Sequence, residues 1–541
     1  MNVSIPTPTQ PAIVVTKKIF VNGEELSKDV SLTQITVNKM FNKISYAKLV
    51  FQDGSVAKRD FTLSNDNRFK PGSTIKVQLG FDGSVDTIFE GIIVRHAIKV
   101  RMRGISVLMI EAKDKAIQLT GARKSAYYIS KKDSDVIDTL ATGLAKDIDT
   151  TSVIHDQLVQ FDTTDWDFIV MRAEANGMLV LTDDGKLVVK KPSTSSPSVF
   201  TATYGQNIWE FEGEMDARRQ VNQITGHSWD YTKQSPENSQ NGTSAFSENG
   251  NISSSDLANV LNATVTLRHT GYVKQQELQN WSDAWALRNK LSKAVGRVRV
   301  KGNASVKPGT MITLQGVGDR FSGDVFVTGV LHQFENMWQT DIQFGWREEW
   351  FSQKEDLMQK PASGLLPGVH GLQIGIVTDV DDSKEKEFRV KVYIPAITDK
   401  ADGIWARVAT LDAGSGRGIY FRPQLNDEVV LGFLNDDPRD VIIVGYLHSK
   451  NNASPLPIDQ GKLQYGIVTQ EKLKLIFDDS NKRMSLIVPS GSGEKSIIIN
   501  SDASAIELKD ENQNSIKMDA QGITIQSGKT ITIKGQLVKI N

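Results

Sequence analysis

The last part of the chain constrains its fold most. Apolar pairs recur at Ile497/Ile499, Ile506/Leu508, Ile516/Met518, Ile523/Ile525, Ile531/Ile533 and Val538/Ile540, with steps of 9, 10, 7, 8 and 7 residues between pairs. Each pair brackets one residue, so in an extended chain both apolar side chains point the same way. Polar residues and glycines fill the rest, and neither His nor Trp follows His448. Such a segment is a stack of short strands with one greasy face. A sandwich needs a second sheet over that face, and no second sheet can be read from what remains. Short strands at this period suit a β-helix, but one chain supplies only two or three coils, too few to bury a core. Three copies wound together would cover one another, each forming one wall of a dry triangular prism with continuous hydrogen bonding between chains. The expectation is a homotrimer whose needle, residues 462–541, is filled by those twelve apolar side chains. Its blunt end, at Leu537, Val538, Lys539, Ile540 and Asn541, would leave open strand edges for a separate tip. The competing reading is a peripheral sheet packed on the first domain.

The rest of the 541 residues is long enough for two or three further domains. Alternation through "KKIFVNGEEL", "STIKVQLGF" and "FEGIIVRHAIKV" predicts strands. A helix is expected over Ser134 to Ala145, with Asp133 or Ser134 capping it. "TTDWDFIVMRAEANGMLVLTDDGKLVVKKP" predicts a second helix, capped by Thr164 with Asp167 three residues on and stopped by Gly177. A hairpin around an Asp-Gly turn follows. Residues 230–256, rich in Ser, Asn and Gly, predict an exposed, mobile loop. "DAWALRNKLSKAV" predicts a helix with Ala284, Leu287, Leu291 and Ala294 on one side. "KPGSTIKVQLG" from Lys70 and "KPGTMITLQGVG" from Lys307 echo each other. Each has a Pro-Gly turn, a strand, then a second strand carrying glycine, the pattern of one small barrel used twice. After a linker at 355–371, residues 372–449 predict a small β-barrel, with Val390, Val392 and Ile394 on one face of its clearest strand and Arg389, Lys391 and Tyr393 on the other. A second linker, 450–461, leads to the needle.

Little in the chain suggests a reaction centre. The seven histidines, His96, His155, His227, His269, His332, His370 and His448, show no ligand spacing. The pairs Asp381–Asp382, Asp436–Asp437 and Asp478–Asp479 fall in predicted turns, where aspartate bonds local backbone. "GSGRG" at 414–418 lacks the Lys-Ser/Thr of a phosphate loop. On the best barrel strand only Phe388 and Tyr393 offer stacking, and their parity puts them on opposite faces. With a net charge of −1 and no cysteine, neither a nucleic-acid footprint nor a disulfide frame is expected. No catalytic residue, metal or cofactor is assigned. "MNVSIPTPTQPAIVV" lacks the charged and apolar regions of a secretory signal.

"TTDWDFIVMRAEANGMLVL", "DKAIQLTGARKSAYY" and "EFEGEMDARRQVNQITGHSWD" resemble the hub of the VgrG and phage late-control D family, the hub-and-spike proteins of contractile injection machines. "RVKVYIP" and "WARVATLDAGSGRGIYFRPQLNDEVVLGFLNDDPRDVIIVGYLHS" resemble that family's spike barrel almost end to end. The resemblance implies a mainly β chain: a phage-hub-like domain over 1–354, with two barrels near 1–125 and 200–350 and helices between them, an OB-fold spike base over 372–449, and a triple-stranded β-helix needle. It implies two hub barrels per chain, six in a trimer, beneath a hexameric inner tube. It also implies baseplate partners, effector cargo and a small PAAR-type tip protein, with assembly in the cytoplasm and action outside the cell. The 450–461 linker is too short for the lysozyme domain of some relatives, no toxin domain is expected after Asn541, and the histidines by which some spikes bind iron at the tip are missing. The implied role is structural rather than enzymatic. The rival class is a trimeric tailspike-like glycan-binding protein or polysaccharide or cell-wall hydrolase, which would need paired acids. Glu507, Asp510, Glu511 and Asp519 are the acids on the ladder.

Overall fold

The computed structural model describes residues 14–102, 105–357, 359–398, 403–458, 461 and 463–540. The chain divides into two compact units, Met1–Gln359 and Lys360–Asn541.

In the first unit one sheet of thirteen strands runs through two β-modules. From its edge at Ile208–Met215 it passes through Ala294–Lys301, Trp338–Phe344 and Gly323–Phe334. It then crosses to Leu32–Met40, Tyr46–Gln52, Val107–Lys113, Ser84–Lys99, Thr74–Phe81 and Val15–Val21. The crossing is the antiparallel pair Gly323–Phe334 with Leu32–Met40, from Gly329 opposite Met40 to Phe334 opposite Ile35. Each module keeps its own core. Ile35, Leu49, Phe51, Val77 and Phe89 fill the first, and Val298, Ile312, Leu314, Val327 and Ile342 the second. The two cores share one sheet, because Leu32–Met40 offers both of its edges for pairing.

The repeated Lys-Pro-Gly turns match bond for bond. Ser73 N donates to Lys70 O at 3.2 Å and Thr310 N to Lys307 O at 3.1 Å. Gly72 and Gly309 sit at φ 99° and 92°, the left-handed position that a Pro-Gly type II turn requires. Each turn then docks on its neighbouring strand, Gly72 N to Ile93 O and Gly309 N to Val327 O, both 2.8 Å. Ile93 N and Val327 N return bonds to Ser73 O and Thr310 O at 2.8 and 2.9 Å. The second-strand glycines do not correspond: Gly91 precedes Ile93, whereas Gly329 follows Val327.

Between the modules lies a small α/β insertion. Helix α1 spans Asp133–Leu140, short of Ala145, because Gly143 turns at φ 88° and Ala145–Ile148 pairs in parallel with Lys186–Lys190. Helix α2 spans Asp165–Ala175, and Thr164 Oγ1 accepts from Asp167 N at 3.1 Å as its N-cap. It ends in a Schellman motif, Gly177 N to Glu174 O and Met178 N to Ala173 O, both 2.9 Å. Leu179–Asp183 and Lys186–Lys190 form the hairpin, with Asp184 and Gly185 at φ 56° and 87° as a type I′ turn demands. That turn also stitches the unit together. Asp183 and Asp184 receive the buried Lys39 ammonium at 2.6 and 2.8 Å, and Asp183 takes Lys307 of the second Pro-Gly turn at 3.1 Å. Asp133, on α1, is buried with Arg172 at 2.6 Å and His155 at 2.9 Å.

The segment expected to be a mobile loop is tied down. Ser235–Asn238 pairs with Gln223–Asp230. Beyond it the chain lies along helix α4, Gln275–Ser292. Thr243 N donates to Asp283 Oδ1 at 2.8 Å, Lys290 Nζ to Ser244 O at 2.7 Å, and Lys293 Nζ to Ile252 O at 3.0 Å. The side chains of α4 and Lys293 satisfy this polar backbone in place of water. Its end is helix α3, Ser254–Leu261, opened by a Ser253/Asp256 capping box. Ala294, expected on the α4 face, begins the next strand.

In the second unit, Gln373–Asp379, Val390–Tyr393, Ile404–Val408, Val441–Tyr446 and Glu428–Phe433 close a five-stranded barrel in that order. Ile404–Val408 and Val441–Tyr446 are parallel and the other pairs antiparallel, the arrangement of an OB-fold. Val390, Val392 and Ile394 point into its core with Val377, Val429 and Leu431. "GSGRG" is a tight hairpin, Ala413–Gly414 paired with Arg417–Gly418. Phe388 stands outside the strand at φ 60° and 77% exposed, so strand parity does not govern it. A seven-stranded sheet then runs from Gln464 to Gln526.

Candidate functional site: an uncovered apolar face

The seven strands, Gln464–Val468, Lys474–Asp478, Arg483–Ser490, Gly493–Asn500, Ala505–Lys509, Ser515–Asp519 and Gly522–Gln526, form an antiparallel meander. Residues directly opposite across such a ladder lie on one face. One row runs Ile467, Leu475, Leu486, Ile497, Leu508, Ile516, Ile525. The second runs Tyr465, Phe477, Met484, Ile499, Ile506, Met518, Ile523. Neither row is interrupted by a polar residue. The reverse face carries Ile476, Ser485, Ile498, Glu507, Lys517 and Thr524 in one row, and is mixed in character.

The apolar face is bare. From Leu486 to Met518 its members are 36–48% exposed, and Ile525 and Ile523 reach 56% and 69%. An apolar surface this continuous marks an interaction site on a soluble protein. A one-residue shift in register would send these side chains to the other face. The register is held by tight turns whose acids bond local backbone. Asp510 Oδ1 accepts from Asn512 N and Asn514 N at 2.9 and 2.8 Å, and Asp519 Oδ1 from Gln521 N at 2.8 Å. Glu511 pairs with Lys495 at 3.2 Å. Hydrogen bonding by the Asn514 side chain lowers the Asp510 carboxyl, and that of Lys517 lowers Asp519. Both therefore stay ionised in their turns, and neither is raised toward the range of a general acid. The paired aspartates behave alike: Asp381 takes Ser383 N at 2.9 Å, Asp437 takes Arg439 N at 2.9 Å, and Asp478 takes Asn481 N at 3.0 Å.

Eight of the twelve expected core residues, Ile497, Ile499, Ile506, Leu508, Ile516, Met518, Ile523 and Ile525, share this face. The sequence pattern misses its first half, Tyr465, Ile467, Leu475, Phe477, Met484 and Leu486. The signal is there, an i, i+2 apolar pair in each strand, but hidden where the intervening residues are also apolar, as Ile476 is. Ile531, Ile533, Val538 and Ile540 fall outside any strand. Ile531 still lines the same concavity, of about 570 Å³, as Leu486, Ile497, Leu508, Ile516 and Ile525. Within the chain, consecutive strands from Gln464 to Gln526 pair with one another, and among the described residues the edge strands Gln464–Val468 and Gly522–Gln526 pair on one side only. Of the expected tip residues, Leu537, Val538, Lys539 and Ile540 are exposed and in no strand, and Asn541 lies outside the described residues.

Three family models match the chain: the Alg8 N-terminal domain over residues 11–336, the type VI secretion system/phage-baseplate injector OB domain over 373–448, and the phage baseplate V C-terminal trimerisation domain over 485–541. The type VI secretion system spike protein VgrG3 of Vibrio cholerae is 33% identical over 86 residues, 15% of this chain and 8% of that protein. The aligned part is therefore a small fraction of that relative's length. Among solved structures, the 43 kDa tail protein of prophage MuSo2 from Shewanella oneidensis is 11% identical with TM-score 0.47, over 61% of this chain and 98% of that one. An Escherichia coli type VI secretion component is 12% identical with TM-score 0.40, over 80% and 100%. The Francisella PdpA–VgrG complex gives 9% and 0.41, over 96% and 81%. With the first family model covering more than half of its length, the chain belongs to the Alg8 N-terminal domain family, and the OB and trimerisation domains that follow it in order are VgrG-like.

Proposed function

We propose that the chain is the central spike of a contractile injection machine, acting as a homotrimer. The observation that carries this is the pair of unbroken apolar rows, seven residues each, left about half exposed on one face of the sheet. A three-fold axis lets three identical faces cover one another, which a single chain cannot do. The name of the family model matched at 485–541, a trimerisation domain, supports the same reading. In this reading the hub joins a hexameric inner tube and baseplate components to the OB-fold base and the needle. Residues Leu537 to Asn541 receive a PAAR-type tip, and effector cargo travels with the needle. The protein is made and assembled in the cytoplasm and acts outside the cell, in a type VI apparatus, an extracellular particle or a phage tail.

The role is mechanical. The fourteen side chains of the two rows in each copy, drawn into a common dry core, resist bending and unzipping, and the turn carboxylates and lysines keep the shaft hydrated. The tailspike-like alternative, a glycan-binding protein or hydrolase, needs two acids across a groove with separated pKa values, whereas Asp510, Glu511 and Asp519 are engaged in their own turns or with Lys495. The test is mass by light scattering on the full chain and on one ending at Ser449. The expected result is three times 59.8 kDa for the full chain and loss of the trimer without the ladder. A monomeric full chain would refute the reading, and turnover of polysaccharide or peptidoglycan by the purified protein would restore the enzyme.

A further inference from the structure

We propose that two free sheet edges of the first unit pair with each other between copies of the chain. Residues 95–100 of one copy run antiparallel to residues 211–216 of the next, in a register that the chain already uses once within itself. The proposal rests on the homotrimer reading and adds to it a second contact between copies, away from the terminal sheet.

The two β-modules match strand for strand. In the first, Val37, Ala47, Ala112 and Ile93 lie directly opposite one another across four strands. In the second, Gly213, Gly296, Phe344 and Val327 do the same. Irregularities in the ladder recur at matching places. One falls between Leu32 and Gln34 and again between Ile208 and Glu210. Another falls between Ile93 and Arg95 and again between Val327 and Gly329. Ile93 and Val327 are also the residues on which the two Lys-Pro-Gly turns dock. Leu32–Met40 thus corresponds to Ile208–Met215, and Ser84–Lys99 to Gly323–Phe334.

Only one of the two equivalent junctions is made inside the chain. Past Val327, Gly323–Phe334 keeps Trp338–Phe344 on one edge and takes Leu32–Met40 on the other, with His332 opposite Val37. Past Ile93, Ser84–Lys99 keeps Val107–Lys113 on one edge, and its other edge meets no strand among the described residues. Ile208–Met215 pairs with Ala294–Lys301 alone among the described residues. Open edges of this kind are templates for another chain. Carrying the internal register across puts Ile98 opposite Gly213 of the next copy. Lys99 then meets Glu212, Ala97 meets Glu214 and Arg95 meets Asp216.

The side chains suit that register. The first edge is cationic, with Arg95, Lys99 and Arg101 and no acid among residues 95–101. The second is acidic, with Glu210, Glu212, Glu214 and Asp216. Glu212 receives Arg297 at 3.0 Å from its own sheet and is still 72% exposed, so its other side is open to Lys99. Opposite charges directly across a ladder stabilise the pair. The apolar positions agree too. Ile98 and Val100 are 49% and 65% exposed. At the internal junction Phe334 lies opposite Ile35, and both are buried in the first core. Their counterparts are Val100 and Phe211, and Phe211 already packs on the second core. The matched charges and the internal precedent select a second copy as the partner. A contact between two different edges is heterologous and must either close or run on, and the trimer fixes the number at three.

The test is disulfide trapping in the full chain, which has no cysteine of its own. Residues directly opposite across an antiparallel pair have Cα atoms about 5 Å apart, within reach of a disulfide. Lys99→Cys with Glu212→Cys, and separately Ala97→Cys with Glu214→Cys, should give covalent trimers on mild oxidation, read on a non-reducing gel. If one pair fails to fold, the other decides. Arg95→Cys with Glu212→Cys is four residues out of register, about 13 Å along the strand, and should give none. A protein that is trimeric by light scattering but gives no cross-link in either matched pair would overturn the proposal and leave the trimer standing. So would equal cross-linking by the out-of-register pair. A monomeric full chain would overturn both.

Discussion

Ile525 and Thr524 are neighbours on the last strand, and the ladder puts them on opposite faces. Ile525 lies opposite Ile516, and Thr524 opposite Lys517. Both are exposed in the single chain, Ile525 at 56%. Introducing aspartate at either position adds the same charge, so the two variants differ only in the face they alter. Burying an isoleucine fully is worth about 1.5–3 kcal/mol. Covering the exposed half of Ile525 is then worth about 1–1.5 kcal/mol per chain, or about 3–4.5 kcal/mol in a trimer. Ile525→Asp loses that and also brings three carboxylates to one level of a dry axis, each costing about 1–3 kcal/mol to desolvate. The sum is about 6 kcal/mol or more, which is about four orders of magnitude in the association constant. Thr524→Asp stays in water and should leave the trimer within about tenfold of the original. Sedimentation equilibrium over a dilution series reads this directly. The pH dependence has a definite sign. Mutual repulsion and burial raise the pKa of the three introduced carboxyls in the trimer above that of the free chain. The assembled state then binds more protons, so lowering the pH through the ordinary aspartate range should restore assembly in Ile525→Asp. Equal dissociation by both variants, or dissociation by Thr524→Asp alone, would refute the assignment of faces.

Other consequences are local. Gly72→Ala and Gly309→Ala each force a side chain into the left-handed region, with nothing within 4 Å at Gly72 and only Phe41 at 3.6 Å at Gly309. Each should cost about 1–2 kcal/mol in chemical denaturation, nearly equal because the two turns are built alike. Gly302→Ala should cost about 3 kcal/mol, since its Cβ would fall well inside van der Waals contact with the Trp338 ring. Burial alone would raise the Asp133 carboxyl, but hydrogen bonds from His155, Arg172 and Asn176 and the charge of Arg172 hold it well below the usual carboxylate range. Its contribution is therefore complete above about pH 4, the unfolded value, and is lost only as the pH falls through the lower folded value. Asp133→Asn should unfold at lower denaturant by about 3 kcal/mol at pH 7, with the gap to the original chain closing below about pH 4. Ser253→Ala should destabilise helix α3 by about 1 kcal/mol, visible as faster amide exchange over Ser254–Leu261.

What is legible in the sequence is whatever depends on neighbouring residues. The Thr164 cap, the Gly177 stop, the Asp184-Gly185 turn and the alternation of Val390, Val392 and Ile394 are each set within a few positions, and each stands in the structure. Pairings between distant segments leave weaker marks. Nothing local to Leu32–Met40 announces that Gly323–Phe334 will pair with its second edge, so the repeat is legible in the sequence but the sheet that joins its two copies is not. The polar segment 230–256 resembles a free loop because its partners, Asp283, Lys290 and Lys293, lie some forty residues away on and just beyond another helix. The terminal face falls between these cases. Its period of two is local and shows from Ile497 onward. Its upper half, from Tyr465 to Leu486, lies where strands such as Lys474–Asp478 carry apolar residues on both faces, so alternation fades although register is kept. Ile525, by contrast, is flanked by Thr524 and Gln526, and at such a position the sequence and the sheet make the same claim about which side must stay dry.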